Sequence, residues 1–272
     1  MQVVTASTPH AAHPYSFAFQ NGTIPPTVKT LVQSVLRPFG LRLSRLEEPK
    51  PDYGARVFFA TLKRFGFSPQ QVVDIGANHG NWTRGALAYF PEAAYLLVEP
   101  QNHLRVYVQD LIGSGYKIQW VNAGVADKPG TMTFYICDRD DSSTFLPREE
   151  QPQARVAQER HIEVKTVDQL LSEYDLPVPD VVKIDAEGFD LKVLRGASRL
   201  IGKTDVFLLE AGVSCPFENS AARVIGTMED FGYRLVDITE LNRSPKYGVL
   251  WLTELAFLRK SSPLFNSVTS YE

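Results

Sequence analysis

The amino-acid sequence predicts an α/β fold: a mostly parallel, seven-stranded sheet with helices on both faces and a C-terminal antiparallel hairpin. Short apolar runs rich in β-branched residues alternate with amphipathic segments, which is typical of a parallel sheet covered by helices on both sides. The last two strand-like runs are joined only by a turn-rich segment. Because parallel neighbours need a long crossover, these two runs must pair antiparallel.

The strand-like runs follow one another from residue 71 onward. Five of them should form the parallel part of the sheet: residues 72–75, 95–98, 118–121, 180–184 and 206–209. The hairpin is predicted from residues 233–238 and 249–258. Helices are predicted near residues 55–65, from 191 and from 221, where apolar residues recur at helical spacing.

The sequence predicts an N-terminal extension, residues 1–53, and one large α/β domain, residues 54–272, with an insertion at about residues 126–167. In the extension we expect a loose arm, a helix that opens at Pro25 and Pro26, and a charged surface linker. The insertion has two further strand-like runs, residues 131–136 and 161–167, around a polar loop. Apolar faces on the N-terminal helices could be buried in a homodimer or by closure over the functional site.

Composition argues against several classes of function. The 28 Lys and Arg and 31 Asp and Glu residues are scattered and give a net charge of −3, so no nucleic-acid partner is expected. No window approaches the roughly 20 apolar residues of a membrane span, and the N-terminal residues lack a signal-peptide pattern. Cys137 and Cys215 have no metal-ligand spacing, which favours free thiols and a cytoplasmic location.

The strongest motif follows the first strand of the sheet. Residues 72–81 read Val-Val-Asp-Ile-Gly-Ala-Asn-His-Gly-Asn: an apolar strand, a turn containing Gly76 and Gly80, and the start of a helix. Glycines permit close approach of a ligand, and the free N–H groups of a helix start favour an anionic group. The turn lacks the middle glycine of the dinucleotide fingerprint. It therefore fits the methionine end of S-adenosylmethionine better than a pyrophosphate.

Polar residues follow the next two strands. Glu99, followed by Pro100, ends the second strand, where a carboxylate can accept hydrogen bonds from both ribose hydroxyls. Sites for nicotinamide cofactors share this feature, so Glu99 indicates an adenosine rather than one particular cofactor. Asn122 follows the third strand, and its side chain or the adjacent backbone could contact the adenine edge.

Taken in order, these motifs resemble the FkbM family of S-adenosylmethionine-dependent methyltransferases. The resemblance spans roughly residues 72–258 and includes Ser142-Ser143, the Thr-Val-Asp of residues 166–168 and the run 182–197, which begins Val-Lys-Ile-Asp-Ala-Glu-Gly. It implies a Rossmann-like class I methyltransferase that methylates a hydroxyl of a sugar, glycolipid or secondary metabolite and releases S-adenosyl-L-homocysteine. The family's usual Ser-Ser-Leu is Ser-Ser-Thr here, so the role of that loop is open.

The resemblance and the positions at the carboxyl edge of the sheet together give a set of expected cofactor contacts. These are Asp74, Gly76, Asn78, Gly80, Asn81, Glu99, Pro100, Asn122 and Asp185. His79, Ser142 and Ser143 are predicted to bind substrate, because functional residues concentrate on loops above a rigid sheet. The alternative for His79 is a surface residue at a helix start. The alternative for Ser142 and Ser143 is that they belong to a solvated acidic turn.

Three carboxylates are expected to meet at the sheet edge and to perform the chemistry. Asp185 and Glu187 end the fourth strand, and Glu210 ends the fifth. A sulfonium already activates the methyl group, so the enzyme must position the acceptor and remove its proton. Mutual repulsion of the carboxylates could raise one pKa and so provide a base. The same oxygens could hold Mg²⁺, but too few ligands are visible and no metal is predicted; Asp185 and Glu187 could also cap the next helix.

Lys183 lies in the same strand two residues before Asp185, so both should point to one face of the sheet. A buried lysine needs a partner, and we expect an ion pair with Asp185 or Glu210.

Two other functions use the same type of sheet: a nicotinamide-dependent oxidoreductase and a non-catalytic cofactor-binding protein. The missing glycine argues against the first, and the three carboxylates argue against the second.

Overall fold

The structure is a computed structural model that describes residues 2–6, 41–45, 54–150, 155–214 and 218–270. The chain divides into two compact units, Met1–Asp52 and Tyr53–Glu272. In the first unit, strands β1 (Gln2–Ala6) and β2 (Leu41–Arg45) pair antiparallel. The sequence predicted an unpatterned arm and a linker at these positions. Both segments are short, but β1 is rich in β-branched residues and β2 alternates apolar and polar residues, which favours strands. The helix predicted from Pro25 lies outside the described residues.

The second unit contains the predicted seven-stranded sheet. Its strands are β3 (Gln71–Ile75), β4 (Ala94–Val98), β5 (Lys117–Val121), β9 (Val181–Ile184), β10 (Val206–Gly212), β11 (Tyr233–Arg243) and β12 (Leu250–Arg259). Their order is β11-β12-β10-β9-β3-β4-β5. Neighbours from β10 to β5 are parallel, whereas β12 runs antiparallel to both β10 and β11. The predicted fold class, including the C-terminal hairpin, is therefore confirmed.

Helices cover both faces of this sheet. They are α1 (Ala55–Arg64), α2 (Asn81–Leu87), α3 (Gln109–Gly113), α4 (Val167–Glu173), α5 (Asp190–Arg195) and α6 (Ala221–Asp230), and a 3₁₀ helix, Asn102–Val108, precedes α3. Successive strand residues face opposite sides of the sheet. Val73 accordingly packs in the apolar cluster that includes α4, α5 and α6, and Val72 packs in the cluster that includes α1 and α2. Within the described residues, none of the helices has the length and apolar character of a bilayer crossing.

The insertion forms a small sheet of its own. Strands β6 (Gly124–Val125), β7 (Gly130–Cys137) and β8 (Val156–Lys165) lie in the order β6-β8-β7. A third apolar cluster, which includes Phe134 and Phe145, packs this sheet against Phe189 just before α5. The second strand of the insertion was predicted at residues 161–167, but β8 begins earlier and ends at Lys165. Thr166 instead caps α4 in a reciprocal capping box with Gln169.

Candidate functional site

A pocket opens at the carboxyl ends of β3, β4, β5 and β9, where the strand order of the sheet reverses. Ligands of open α/β sheets collect at such a switch point. The lining residues are Ile75, Gly76, Asn78, Val98, Glu99, Pro100, Gln101, Ala123, Val125, Phe134, Asp141, Ser143, Phe145, Asp185, Ala186 and Glu187. The pocket thus brings together predicted cofactor residues, predicted catalytic residues and part of the insertion.

The glycine turn after β3 serves two different purposes. Gly76 has a φ of 75°, and a Cβ at this position would overlap the carbonyl oxygen of Asp185. Only glycine therefore lets the turn approach the end of β9. Gly80 lies outside the pocket lining, and a Cβ there would come within 2.6 Å of Val108 Cγ1. Gly80 thus allows the loop to pack on the 3₁₀ helix, and Asn81 begins α2 as an exposed residue.

Glu99 joins two loops at the edge of the pocket. Its Oε2 accepts a hydrogen bond from the Asn78 amide at 3.0 Å, and its Oε1 accepts one from the Gln101 amide at 2.9 Å. Burial raises the pKa of Glu99 to about 7, although these amide hydrogen bonds and the charge of Lys183 oppose the shift. Each carboxylate oxygen can accept a second hydrogen bond. The carboxylate is therefore suited to accept hydrogen bonds from a diol such as a ribose.

Asn122 supports this turn from outside the pocket. Its exposed side chain donates hydrogen bonds to the carbonyl oxygens of Glu99 and Pro100, each at 2.9 Å. Pro100 itself lines the pocket, whereas Asn122 does not. The structure therefore gives the Asn122 side chain a bracing role in the turn.

Asp74 and Lys183 form a buried ionic centre beneath the pocket. Asp74 is fully buried; its Oδ2 accepts a hydrogen bond from Thr83 at 2.6 Å, and its Oδ1 lies 3.3 Å from Lys183 Nζ. Lys183 Nζ also lies 3.1 Å from Asp185 Oδ2 and donates a hydrogen bond to the Gly76 carbonyl at 3.1 Å. Burial alone would lower the pKa of Lys183, but the carboxylates of Asp185 and Asp74 raise it well above its ordinary value. The predicted ion pair with Asp185 is thus present, with Asp74 as a second partner.

The three predicted catalytic carboxylates do meet. One oxygen from each of Asp185, Glu187 and Glu210 lies within 4.8 Å of the others. Asp185 and Glu187 line the pocket, while Glu210 Oε2 is buried without a hydrogen-bond partner among the described residues. Burial and then the charge of Asp185 raise the pKa of both Glu187 and Glu210 well above the ordinary glutamate value. Glu187 and Glu210 therefore hold a proton more readily than ordinary glutamates do.

The sequence also suggested that Asp185 and Glu187 cap the following helix. In the structure, Asp190 satisfies the amides of this turn: its carboxylate accepts hydrogen bonds from Ala186 N at 3.1 Å and Gly188 N at 3.2 Å. The side chain of Asn219 donates a further hydrogen bond to Asp190 at 2.8 Å. Burial and then the charge of Asp185 raise the pKa of Asp190 to about 7. Asp185 and Glu187 are left to face the pocket.

The predicted substrate residues separate into two groups. Ser143 is buried in the pocket wall, where its hydroxyl accepts a hydrogen bond from Cys137 N at 3.1 Å and donates one to Gln101 Oε1 at 3.5 Å. Ser142 lies outside the lining and its hydroxyl bonds to Asp141. His79 also lies outside the lining, stacked on Tyr107 with ring centroids 4.0 Å apart.

Several lining residues were missed by sequence reasoning. Gln101 directly follows the Glu-Pro motif, and its position was the signal that could have found it. Phe134 and Phe145 resemble ordinary core residues of the insertion, and only the tertiary fold brings them to the pocket.

Thr144 lies outside the pocket lining but supports it. This residue replaces the leucine usual in the family motif, and its hydroxyl donates a hydrogen bond to the Glu187 carbonyl at 2.8 Å.

The sheet order with its C-terminal antiparallel hairpin, and the glycine turn beside Glu99, define a Rossmann-like class I methyltransferase. The chain belongs to the FkbM family, because residues 74–235, more than half of its length, match the methyltransferase FkbM domain. It is therefore a methyltransferase, and its methyl donor is S-adenosylmethionine, as the sequence predicted.

Solved structures of methyltransferases resemble this chain in fold. Precorrin-6y C5,15-methyltransferase from Geobacter metallireducens GS-15 is 15% identical with a TM-score of 0.44, covering 79% of this chain and 92% of that one. Magnesium protoporphyrin IX methyltransferase from Synechocystis PCC 6803, with bound S-adenosylmethionine, is 10% identical with a TM-score of 0.43. The match covers 88% of this chain and 86% of that one. These likenesses are too distant to bear on the substrate. No curated protein sequence matches the chain.

Proposed function

We propose that the protein transfers a methyl group to a hydroxyl of a sugar, glycolipid or secondary metabolite, forming a methyl ether. The observation that supports this most directly is the cluster of Asp185, Glu187 and Glu210, two of which line the cofactor pocket. An alcohol must lose its proton to become a methyl ether, so an O-methyltransferase benefits from a nearby base. Methylation of a thioether sulfur or a tertiary amine, which has no proton to lose, would not need such a group.

The residues present fit the cofactor. In our proposal the carboxylate of Glu99 binds the ribose hydroxyls, and the turn at Gly76 and Asn78 lies against the methionine part. When bound, S-adenosylmethionine supplies a methyl group that its sulfonium activates for transfer. We assign Asp185 to both cofactor and acceptor, because it lines the pocket between the glycine turn and Glu187.

Within the cluster, Glu187 is the carboxylate that we propose as the base. Lys183 Nζ lies 3.1 Å from Asp185 Oδ2, so that carboxylate is already engaged in an ion pair. Glu187 lines the pocket as a half-buried residue, and desolvation of its carboxyl group followed by the charges of Asp185 and Asp190 raises its pKa. A raised pKa makes a carboxylate a stronger base, so Glu187 is suited to accept the acceptor's hydroxyl proton.

The test is methyl transfer to a panel of sugars, glycolipids and secondary metabolites, with methylated product and S-adenosylhomocysteine quantified together by mass spectrometry. We expect the two to form in equal amounts and the product to survive mild base, which cleaves esters but not ethers. A base-labile product would argue against ether formation. Tight cofactor binding without turnover across a broad panel would instead favour a non-catalytic binding protein.

Three further properties are proposed on the sequence alone. We propose a glycan or other small-molecule acceptor, a cytoplasmic location and a homodimer through the N-terminal helices. Light scattering of the purified chain tests the last of these. A monomer at all concentrations would contradict it.

A further inference from the structure

We infer that the insertion, rather than the residue after β5, forms the adenine site of the cofactor. The base would lie against Phe134 and Phe145, with its polar edge at Gln101 and Ser143. This inference rests on the use of S-adenosylmethionine and extends the proposed function to the recognition of the base. It gives the insertion a role in cofactor binding, whereas the sequence predicted only substrate contacts there.

The composition of the pocket wall is the first observation. Glu99 stands at one part of the lining, and the base of an adenosine must lie next to the ribose that Glu99 would bind. The apolar lining beyond Glu99 comes from the end of β5 and from the insertion. Its members are Ala123, Val125, Phe134 and Phe145. An apolar wall with two aromatic rings suits a nucleobase, whose faces stack on such rings.

The two phenylalanine rings are held in place by other rings. Phe134 and Phe145 have ring centroids 4.7 Å apart, and Phe145 lies 5.8 Å from the ring of Phe189. Phe134 is only 3% exposed and Phe145 only 6%. The wall is therefore preorganised, because its rings have little freedom to rotate away.

Gly124 is what allows Phe145 to occupy this position. A Cβ at residue 124 would overlap the tip of the Phe145 ring and would lie 2.8 Å from Val164 Cγ1. Gly124 lies outside the pocket lining and has an ordinary φ, so its small size is the only property that the position requires. A methyl group at this position would displace the ring without changing the composition of the pocket.

The polar edge of the base would meet two buried side chains. Gln101 is 5% exposed and Ser143 is 7% exposed, and both line the pocket. The Ser143 hydroxyl accepts from Cys137 N, so its own proton is directed to Gln101 Oε1 at 3.5 Å. This contact orients the amide with Oε1 as the acceptor, which favours the amino group of adenine over the carbonyl of hypoxanthine. Asn122 is not placed for this part, because it lies outside the pocket lining and its Nδ2 donates to the carbonyl oxygens of Glu99 and Pro100.

Calorimetric titration with S-adenosylhomocysteine and its deaminated analogue, S-inosylhomocysteine, tests the inference. We expect the wild type to prefer the adenosine form, and Gly124→Ala to weaken binding of that form by about tenfold. Ser143→Ala should reduce the preference between the two ligands. Asn122→Ala is the matched control: it alters the Glu99 turn but should leave the preference intact.

Phe145→Ala would remove the wall directly, but Phe145 also packs on Phe134 and Phe189 and the variant could unfold. Gly124→Ala and Ser143→Ala each add or remove a single small group, and circular dichroism will test whether each variant is folded. The inference is overturned if Asn122→Ala abolishes the preference while Gly124→Ala and Ser143→Ala leave both affinity and preference unchanged. Binding is read without an acceptor, so a wild type that binds S-adenosylhomocysteine but methylates no hydroxyl refutes only the proposed function. A folded wild type that binds neither ligand refutes the inference.

Discussion

The ammonium group of Lys183 lies between two carboxylates, 3.3 Å from Asp74 Oδ1 and 3.1 Å from Asp185 Oδ2. Lys183 and Asp74 are almost completely buried, and Asp185 reaches the pocket. Lys183 therefore links the buried Asp74 of β3 to the acidic cluster that Asp185 forms with Glu187 and Glu210. Removing the charge of Lys183 would leave the buried carboxylate of Asp74 without a counter-charge.

Lys183→Met should destabilise the protein by about 3–5 kcal/mol, because it leaves the buried Asp74 without its counter-charge. Urea denaturation measures this loss. Lys165→Met is the matched control, since Lys165 pairs with Glu173 on the surface; it should change stability by less than about 1 kcal/mol. Similar losses in the two variants would contradict the assigned role of Lys183.

Glu187→Gln should lower the rate of methyl transfer by about 10²–10⁴-fold while cofactor binding changes little, since the amide cannot accept the proton. The pKa of Glu187 is raised, so the wild-type rate should increase with pH across a range above the ordinary glutamate pKa of 4.5. In Glu187→Gln this increase of the rate with pH should be lost. The exposed Glu92→Gln serves as the control, and an unchanged pH profile in Glu187→Gln would exclude Glu187 as the base.

The stability of the ligand-free protein should fall as pH rises from about 5 to about 8. Burial raises the pKa of Glu99 and Glu254 from 4.5 to about 7, and that of Asp190 from 3.8 to about 7. In this window the folded state binds more protons than the unfolded state, so the slope of unfolding free energy against pH is negative. Urea denaturation at both pH values measures it. Stability that rises over the window would show that these groups are ionised in the folded protein.

Methyl transfer should not require a divalent metal. Lys183 already neutralises part of the acidic cluster, and the raised pKa of Glu187 and Glu210 disfavours the ionised form that binds Mg²⁺. We expect the rate with a chelator to stay within about twofold of the rate with Mg²⁺, because the cluster already holds a cation. Activity that is lost with chelator and restored by Mg²⁺ would mean that water or acceptor oxygens complete a metal site.

Gly76→Ala should destabilise the protein by about 3 kcal/mol or more, because the new methyl group overlaps the Asp185 carbonyl at a left-handed φ. Gly226→Ala is a suitable control: Gly226 lies within α6 with open space around it among the described residues. That change should stabilise by roughly 0.5–1 kcal/mol. Thermal melts of the two variants should therefore move in opposite directions.

The sequence predicted the parallel strands and the meeting of Glu99 with the glycine turn because both follow from short-range pattern and sheet geometry. The carboxyl ends of parallel strands lie at one edge of the sheet. The motifs that end β3, β4 and β9 therefore come together independently of the conformation of the loops. The proximity of Asp185, Glu187 and Glu210 was predictable for the same reason.

Other contacts depend on tertiary structure that no local pattern encodes. The direction of the Asn122 side chain depends on the path of the Glu99-Pro100 turn. Phe145 reaches the pocket only because β6, β7 and β8 form a separate sheet and residue 124 is glycine. Asp190, in the first turn of α5, accepts a hydrogen bond from the amide of the preceding turn. Acidic residues are common in the first turn of a helix, so the sequence alone does not indicate this contact.

The hydrogen bond from Thr144 to the Glu187 carbonyl ties the insertion to the turn that presents the proposed base. If the insertion holds the adenine, as inferred above, cofactor recognition and proton removal are mechanically coupled through this one contact. Exchanging the insertion with that of a relative would transplant a support of the turn that carries Glu187 together with the adenine wall. A chimera that carries leucine at this position would lose that support, so altered cofactor affinity would come with a slower chemical step unless threonine were restored.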